Sequence, residues 1–202
     1  MKTRQNKEFH HSSTASVWGS CHHLAVLLIL TVLFSAVLAP TARAGEGLRD
    51  RIVEAGLPST PSERLLELAN DKNPTVRHAV AANRGAPADA LVLLSADPDP
   101  EVRRALALNI NAPEAAKLPM ARDPDLAVRM RLAKCGFMFP SVLKILATDE
   151  NVQVRRLTAR NYNATAEVLL LMVHDKDEMV RAYVADHDAA TPEIINKLLA
   201  AS

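Results

Sequence analysis

From Leu65 onward the apolar residues come in two short bursts per 26 residues, separated by Asn, Asp and Pro. In the first unit one burst runs through Leu65 and Leu68 and the other through Val76, Val80 and Ala81. The Val76–Val80 spacing puts both side chains on one stripe of a helix, and the bursts are too short and too poorly alternating for strands. Asp71, Val76, Arg77 and Ala81 return as Asp97, Val102, Arg103 and Ala107, and three further copies follow without insertion. A fixed period of this length marks one helix pair stacked repeatedly, which predicts an all-α solenoid over residues 65–194.

The turns agree with that reading. Asn73, Asp99, Asp125, Asn151 and Asp177 occupy one position in the five copies, each able to accept a bond from free amides at a helix start. Pro74 and Pro100 follow at the first helical position, where an absent amide hydrogen costs nothing. The helix is expected to stop near Asn83, Asn109 and Asn161, a residue type that tolerates the left-handed conformation, with Gly136 taking that task beside Cys135. The second element of each unit starts near Pro61, Pro87, Pro113 or Pro192. In the third copy Pro113 and Pro119 enclose only a few residues, which predicts a 3₁₀ or irregular turn there.

The Val76 series and the small Ala81, Ala107, Ala133, Ala159, Ala185 series are expected to be core. A larger residue at the Ala positions would overpack at about 1–3 kcal/mol. Two charged positions never vary: Asp71, Asp97, Asp123, Asp149, Asp175 and Arg77, Arg103, Arg129, Arg155, Arg181. They are read as a structural ladder from each repeat to the next, of exposed pairs contributing about 0–1 kcal/mol each.

Ahead of the repeats, residues 1–44 read as a secretory signal. Lys2, Arg4 and Lys7 precede the apolar run Leu24–Ala39, and Ala42-Arg43-Ala44 fits a cleavage site. An uncleaved signal anchor is the alternative, although the run is shorter than the roughly 20 residues that span a bilayer. Both place the repeats outside the cytoplasm, secreted or periplasmic in the first case and membrane-anchored in the second. Residues 45–64 read as a worn capping half-repeat with Leu48 and Ile52 facing inward, and residues 195–202 as a truncated C-terminal cap. That last end is poor in charge, and reads either as a cover for the fifth repeat or as a face that stacks on a second copy.

The units LLELANDKNPTVRHAVAANRGAP and LVLLSADPDPEVRRALALNINAP resemble the leucine-rich repeat variant family, whose look is close to HEAT and armadillo repeats. The resemblance implies a right-handed superhelix of alternating α- and 3₁₀-type helices. Copies three to five depart from it at the proline position, with Phe139, Thr165 and Thr191. The cysteine-rich iron–sulfur segment of some members has no counterpart here, so no cofactor is expected.

Candidate chemistry is sparse. After the signal, Cys135 is the one cysteine, so packing rather than an internal disulfide must hold the core. No zinc-protease, nucleophile-elbow or phosphate-loop motif occurs, His78, His174 and His187 lack ligand spacing, and no metal site or enzyme activity is expected. His187 reads as a substitute for the helix-ending Asn. Residues 45–202 are slightly acidic and keep only Phe137, Phe139, Tyr162 and Tyr183 as aromatics, which argues against a nucleic-acid partner. Above this background stand Arg104, Arg131, Lys134, Arg156 and Arg160, read as a basic strip on the first helices of repeats two to four. The functional expectation is a scaffold for a protein partner; the alternative is a binder of an anionic glycan, a lipid headgroup or an acidic peptide through that strip.

Overall fold

A computed structural model describes residues 47–200, and the signal or anchor segment lies outside them. The described residues form twelve α-helices and no strand. In chain order they are α1 (Leu48–Gly56), α2 (Ser62–Leu68), α3 (Pro74–Ala82), α4 (Ala88–Leu94), α5 (Pro100–Leu108) and α6 (Glu114–Met120). There follow α7 (Leu126–Lys134), α8 (Pro140–Leu146), α9 (Val152–Ala159), α10 (Ala166–Leu170), α11 (Glu178–Ala185) and α12 (Pro192–Ala200). Each odd helix packs on the next odd helix and each even helix on the next even one, giving two layers of a solenoid with the core between them.

The sequence explains where each helix starts. The side chains of Asn73, Asp99, Asp125 and Asn151 accept from the amide two residues on, and Asp177 from that of Val180. Even helices begin behind an extended residue whatever its type: Pro87, Phe139 and Thr165 all hold that conformation, so the lost prolines do not alter the turn. Even helices then close in i→i−3 bonds, as from Ala96 to Leu93 and from Asp97 to Leu94, so their exits are tightly wound. The expected irregular turn in the third copy is instead helix α6. Pro119 stands in its last turn, where i→i−4 bonding is already giving way, so the missing amide removes a single rung.

Val76, Val102, Val128, Val154 and Val180 are fully buried, as are Ala81, Ala107, Ala133 and Ala159. Each Val contributes about 1.5–3 kcal/mol. Ala185 is exposed in the last odd helix. In α1, Ile52 packs against the core, but Leu48 at the helix start is exposed rather than inward. At the other end Ile194 and Leu198 are buried and Leu199 is 71% exposed.

The helix-ending asparagines differ from expectation. No residue of the described chain, glycine included, has positive φ, and Asn83 and Asn109 are extended. Their side chains are buried and reach the preceding coil. Asn83 Nδ2 donates to the carbonyls of Ala55 and Leu57, Asn109 to those of Ala81 and Asn83, and Asn161 to those of Ala133 and Cys135. Each Oδ1 accepts the amide two residues on. His187 fills the same role: Nδ1 accepts from Ala189, so Nε2 carries the proton donated to the Asn161 carbonyl. Gly136 serves a different purpose from a helix cap, because a Cβ there would meet the Tyr162 ring carbons at 3.0 Å.

Candidate functional site

Two hydrogen-bond ladders run along opposite ends of the odd helices. At their C-terminal ends lies the asparagine ladder. At their N-terminal ends, Arg77 Nε donates to Asp97 at 2.6 Å, Arg103 to Asp123 at 2.6 Å, Arg129 to Asp149 at 2.7 Å and Arg155 to Asp175 at 2.6 Å. Arg51 makes the equivalent contact with Asp71 at 2.7 Å. The second fork nitrogen of each of these four arginines reaches the carbonyl six residues back, as from Arg103 to Asp97. Every Asp also accepts the amide two residues on, so its oxygens are fully used. Arg181 donates to the Asp175 carbonyl and has no carboxylate partner among the described residues.

These pairs are buried rather than exposed: the Asp97 and Asp123 side chains retain 3% and 4% of their surface. The hydrogen bond it donates to its Asp raises each of Arg77, Arg103, Arg129 and Arg155 above the ordinary guanidinium value, against the opposing effect of burial. Burial pushes Asp175 upward, but its bonds from Arg155 and the Asp177 amide outweigh that and hold it below the usual range. A surface hollow of about 400 Å³ opens over these rungs and is lined by Arg122, Asp123, Arg129, Asp149 and Glu150. Asp123, Asp149, Glu150 and Arg129 in it are already paired with one another or with Arg103, so those groups offer a ligand little unsatisfied chemistry.

The five residues of the basic strip meet different fates. Arg104 pairs with Asp125 at 2.6 Å and with Glu101, and Arg156 makes a forked pair with Asp177 at 2.7 and 2.9 Å. Asp125 and Asp177 thus cap a helix and hold an arginine of the previous coil at once. The Arg156 bond brings Asp177 down to about 2. Arg131 donates to the Arg104 carbonyl. Only Lys134 and Arg160 of the five lack a polar partner among the described residues, and Arg160 lies 5.1 Å from the centre of the Tyr183 ring.

Those two cations stand among the exposed aromatics. A hollow of about 220 Å³ is lined by Lys134, Gly136, Leu157, Arg160 and Tyr162, and a second of about 310 Å³ shares Arg160 and Tyr162 with Tyr183, Asp186 and Asp188. Phe137 is 65% exposed and Tyr162 67%, with Leu108 and Ile110 exposed at the equivalent edge one coil earlier. This edge tops the asparagine ladder. Nothing in the periodic positions signalled it, because its residues are those the copies do not share.

The sequence pattern of the leucine-rich repeat variant family matches residues 74–99, one complete period from the first helix of one repeat to the capping Asp of the next. Residues 74–99 thus carry the pattern of one leucine-rich repeat variant unit. A solved structure described as "a leucine-rich repeat variant with a novel repetitive protein structural motif" is 24% identical over 82% of this chain and 81% of that one, with a TM-score of 0.39. No curated protein matches. The described residues form a stack of helical repeats, and no group of three or more His, Cys, Asp or Glu fit to hold a metal ion occurs among them. Nor is any described helix long and apolar enough to cross a membrane.

Proposed function

We propose that the chain is a non-catalytic scaffold displayed outside the cytoplasm, and that a protein partner docks on the edge formed by Phe137, Tyr162 and Tyr183 between Lys134 and Arg160. The observation that carries this is the gathering of three of the four aromatics of residues 47–200 on one edge, with Phe137 and Tyr162 about two-thirds exposed. Aromatic side chains flanked by arginine supply large contact area at low entropic cost, the composition of energetic centres in protein interfaces. The fitting partner presents an apolar segment with carboxylates at the Lys134 and Arg160 end. Placement outside the cytoplasm rests on the Lys2–Ala44 signal pattern.

The ion pairs of Arg104 and Arg156 draw charge away from the strip, which favours this reading over a polyanion binder. The test is capture of partners from envelope and secreted extracts on the immobilised protein, with Phe137→Ser/Tyr162→Ser and Lys134→Ser/Arg160→Ser variants alongside. Loss of a protein partner in the aromatic variant, with little response to salt, is expected. Capture that survives in the aromatic variant but collapses in the cation variant and in moderate salt would overturn it in favour of an anionic ligand.

A further inference from the structure

Two departures from the 26-residue period meet inside the third coil. At the inward position of the even helices four copies carry Leu65, Leu91, Leu143 and Leu169, and the third carries Lys117. At the asparagine-ladder position the third coil carries Cys135, where its neighbours have Asn109 and Asn161. Lys117 is 0% exposed, Cys135 is 7% exposed, and Nζ lies 4.0 Å from Sγ. The thiol's other polar neighbour is the Phe137 carbonyl at 3.9 Å. No carboxylate or carbonyl oxygen receives the Lys117 amine among the described residues. A fully buried amine is therefore aimed at a buried thiol from a position that the other four copies fill with leucine. Cys135 cannot deliver the two amide donors that Asn109 and Asn161 provide, so the substitution gives up inter-coil hydrogen bonds without regaining them elsewhere.

We propose that Lys117 and Cys135 are a covalent oxidation site, joined by dioxygen into an N–O–S bridge between α6 and the end of α7. The thiol S–H bond, one amine N–H bond and the O–O bond break, and one oxygen bonds to both sulfur and nitrogen while the other takes the two hydrogens. Cys–SH, Lys–NH₂ and O₂ become Cys–S–O–NH–Lys and one water. Sulfur and nitrogen each give up two electrons and dioxygen takes four; the thiol hydrogen and one amine hydrogen leave in the water. An interposed oxygen leaves less of the 4.0 Å separation to close than a direct sulfur–nitrogen bond would. Desolvation lowers Lys117 from its ordinary value, which supplies the neutral amine that the step consumes. Dioxygen is small and apolar enough to enter a packed core, whereas larger polar oxidants are held off. A thiol reductant reopens the bridge, so the site is a reversible staple across one coil boundary.

The full chain is equilibrated with isotopically heavy dioxygen, digested without reduction and examined by peptide mass spectrometry. Expected is a Lys117–Cys135 linked peptide one heavy oxygen richer and two hydrogens poorer than its separate parts, cleaved by dithiothreitol. Lys117→Leu and Cys135→Asn each install the residue other coils carry, so they keep the fold, and each should abolish the linked peptide. A Cys135 that stays fully alkylatable after unfolding, a link without oxygen, a disulfide or oxygen on Cys135 alone would each overturn the proposal.

Discussion

Arg103 spans a coil boundary: its Nε and Nη2 donate to the Asp123 carboxylate while Nη1 donates at 2.6 Å to the carbonyl of Asp97, the acid that serves the previous rung. One guanidinium thereby ties three consecutive coils, since Asp97 is itself held by Arg77. Removing Asp123 leaves a buried cation without its partner and frees the Asp125 amide. Asp123→Ala is expected to destabilise by about 3–5 kcal/mol in chemical denaturation. Adding Arg103→Met should restore part of the loss, because the uncompensated charge goes with it.

Asn109→Ala tests the second ladder. It strips donors from the carbonyls of Ala81 and Asn83 and leaves the Asn111 amide unsatisfied. The expected loss is about 2–3 kcal/mol by the same measurement, with greater amide exchange at Asn111. A helix-capping role through positive φ would instead make Asn109→Gly nearly neutral. The extended backbone predicts that Gly is no better than Ala.

Acid should weaken the stack in a defined window. Asp177 falls to about 2 in the fold through its bond from Arg156, and Asp125 and Asp175 also lie below the ordinary range. A depressed carboxylate adds stability above its unfolded value of about 3.9, and that contribution disappears as pH falls through the folded value. Wild type and Asp177→Asn should therefore differ in melting temperature at neutral pH and converge near pH 2.

Lys117→Leu should raise stability in the reduced protein. It replaces a desolvated amine with the residue that the neighbouring even helices bury at this position, and about 1–3 kcal/mol is expected. The sign with pH is also fixed. Because burial lowers the folded value of Lys117, the unfolded chain binds more protons up to about pH 10.4, and wild-type stability rises with pH over that window. The Leu variant should lack that slope in urea titrations at successive pH values.

The solenoid was legible because its determinants are local and repeated: the caps at Asn73 and its copies, the Val76 core series and the invariant Asp and Arg all recur at one spacing. Two facts were not. Whether Asn109 turns the chain or donates across a boundary depends on carbonyls 26 and 28 residues away, whose distance only the stacked coils define. The burial of Asp97 and its copies likewise depends on how closely neighbouring turns approach. The pairing of Arg104 with Asp125 was hidden because Asp125 already had a local explanation as a cap. Lys117 did leave a signal: it breaks a column of leucines, and only the fold shows Cys135 beside it.

Each coil presents its Asp toward the preceding Arg and its Arg toward the following Asp, the same way round at every boundary from Arg51–Asp71 to Arg155–Asp175. The stack is consequently a one-way connector system in which all joints are interchangeable. Whole periods can be removed or added without misaligning a single plug and socket, whereas a cut of any other length mismatches every joint it touches. Evolution can thus change how many coils the protein has more easily than it can change what joins them.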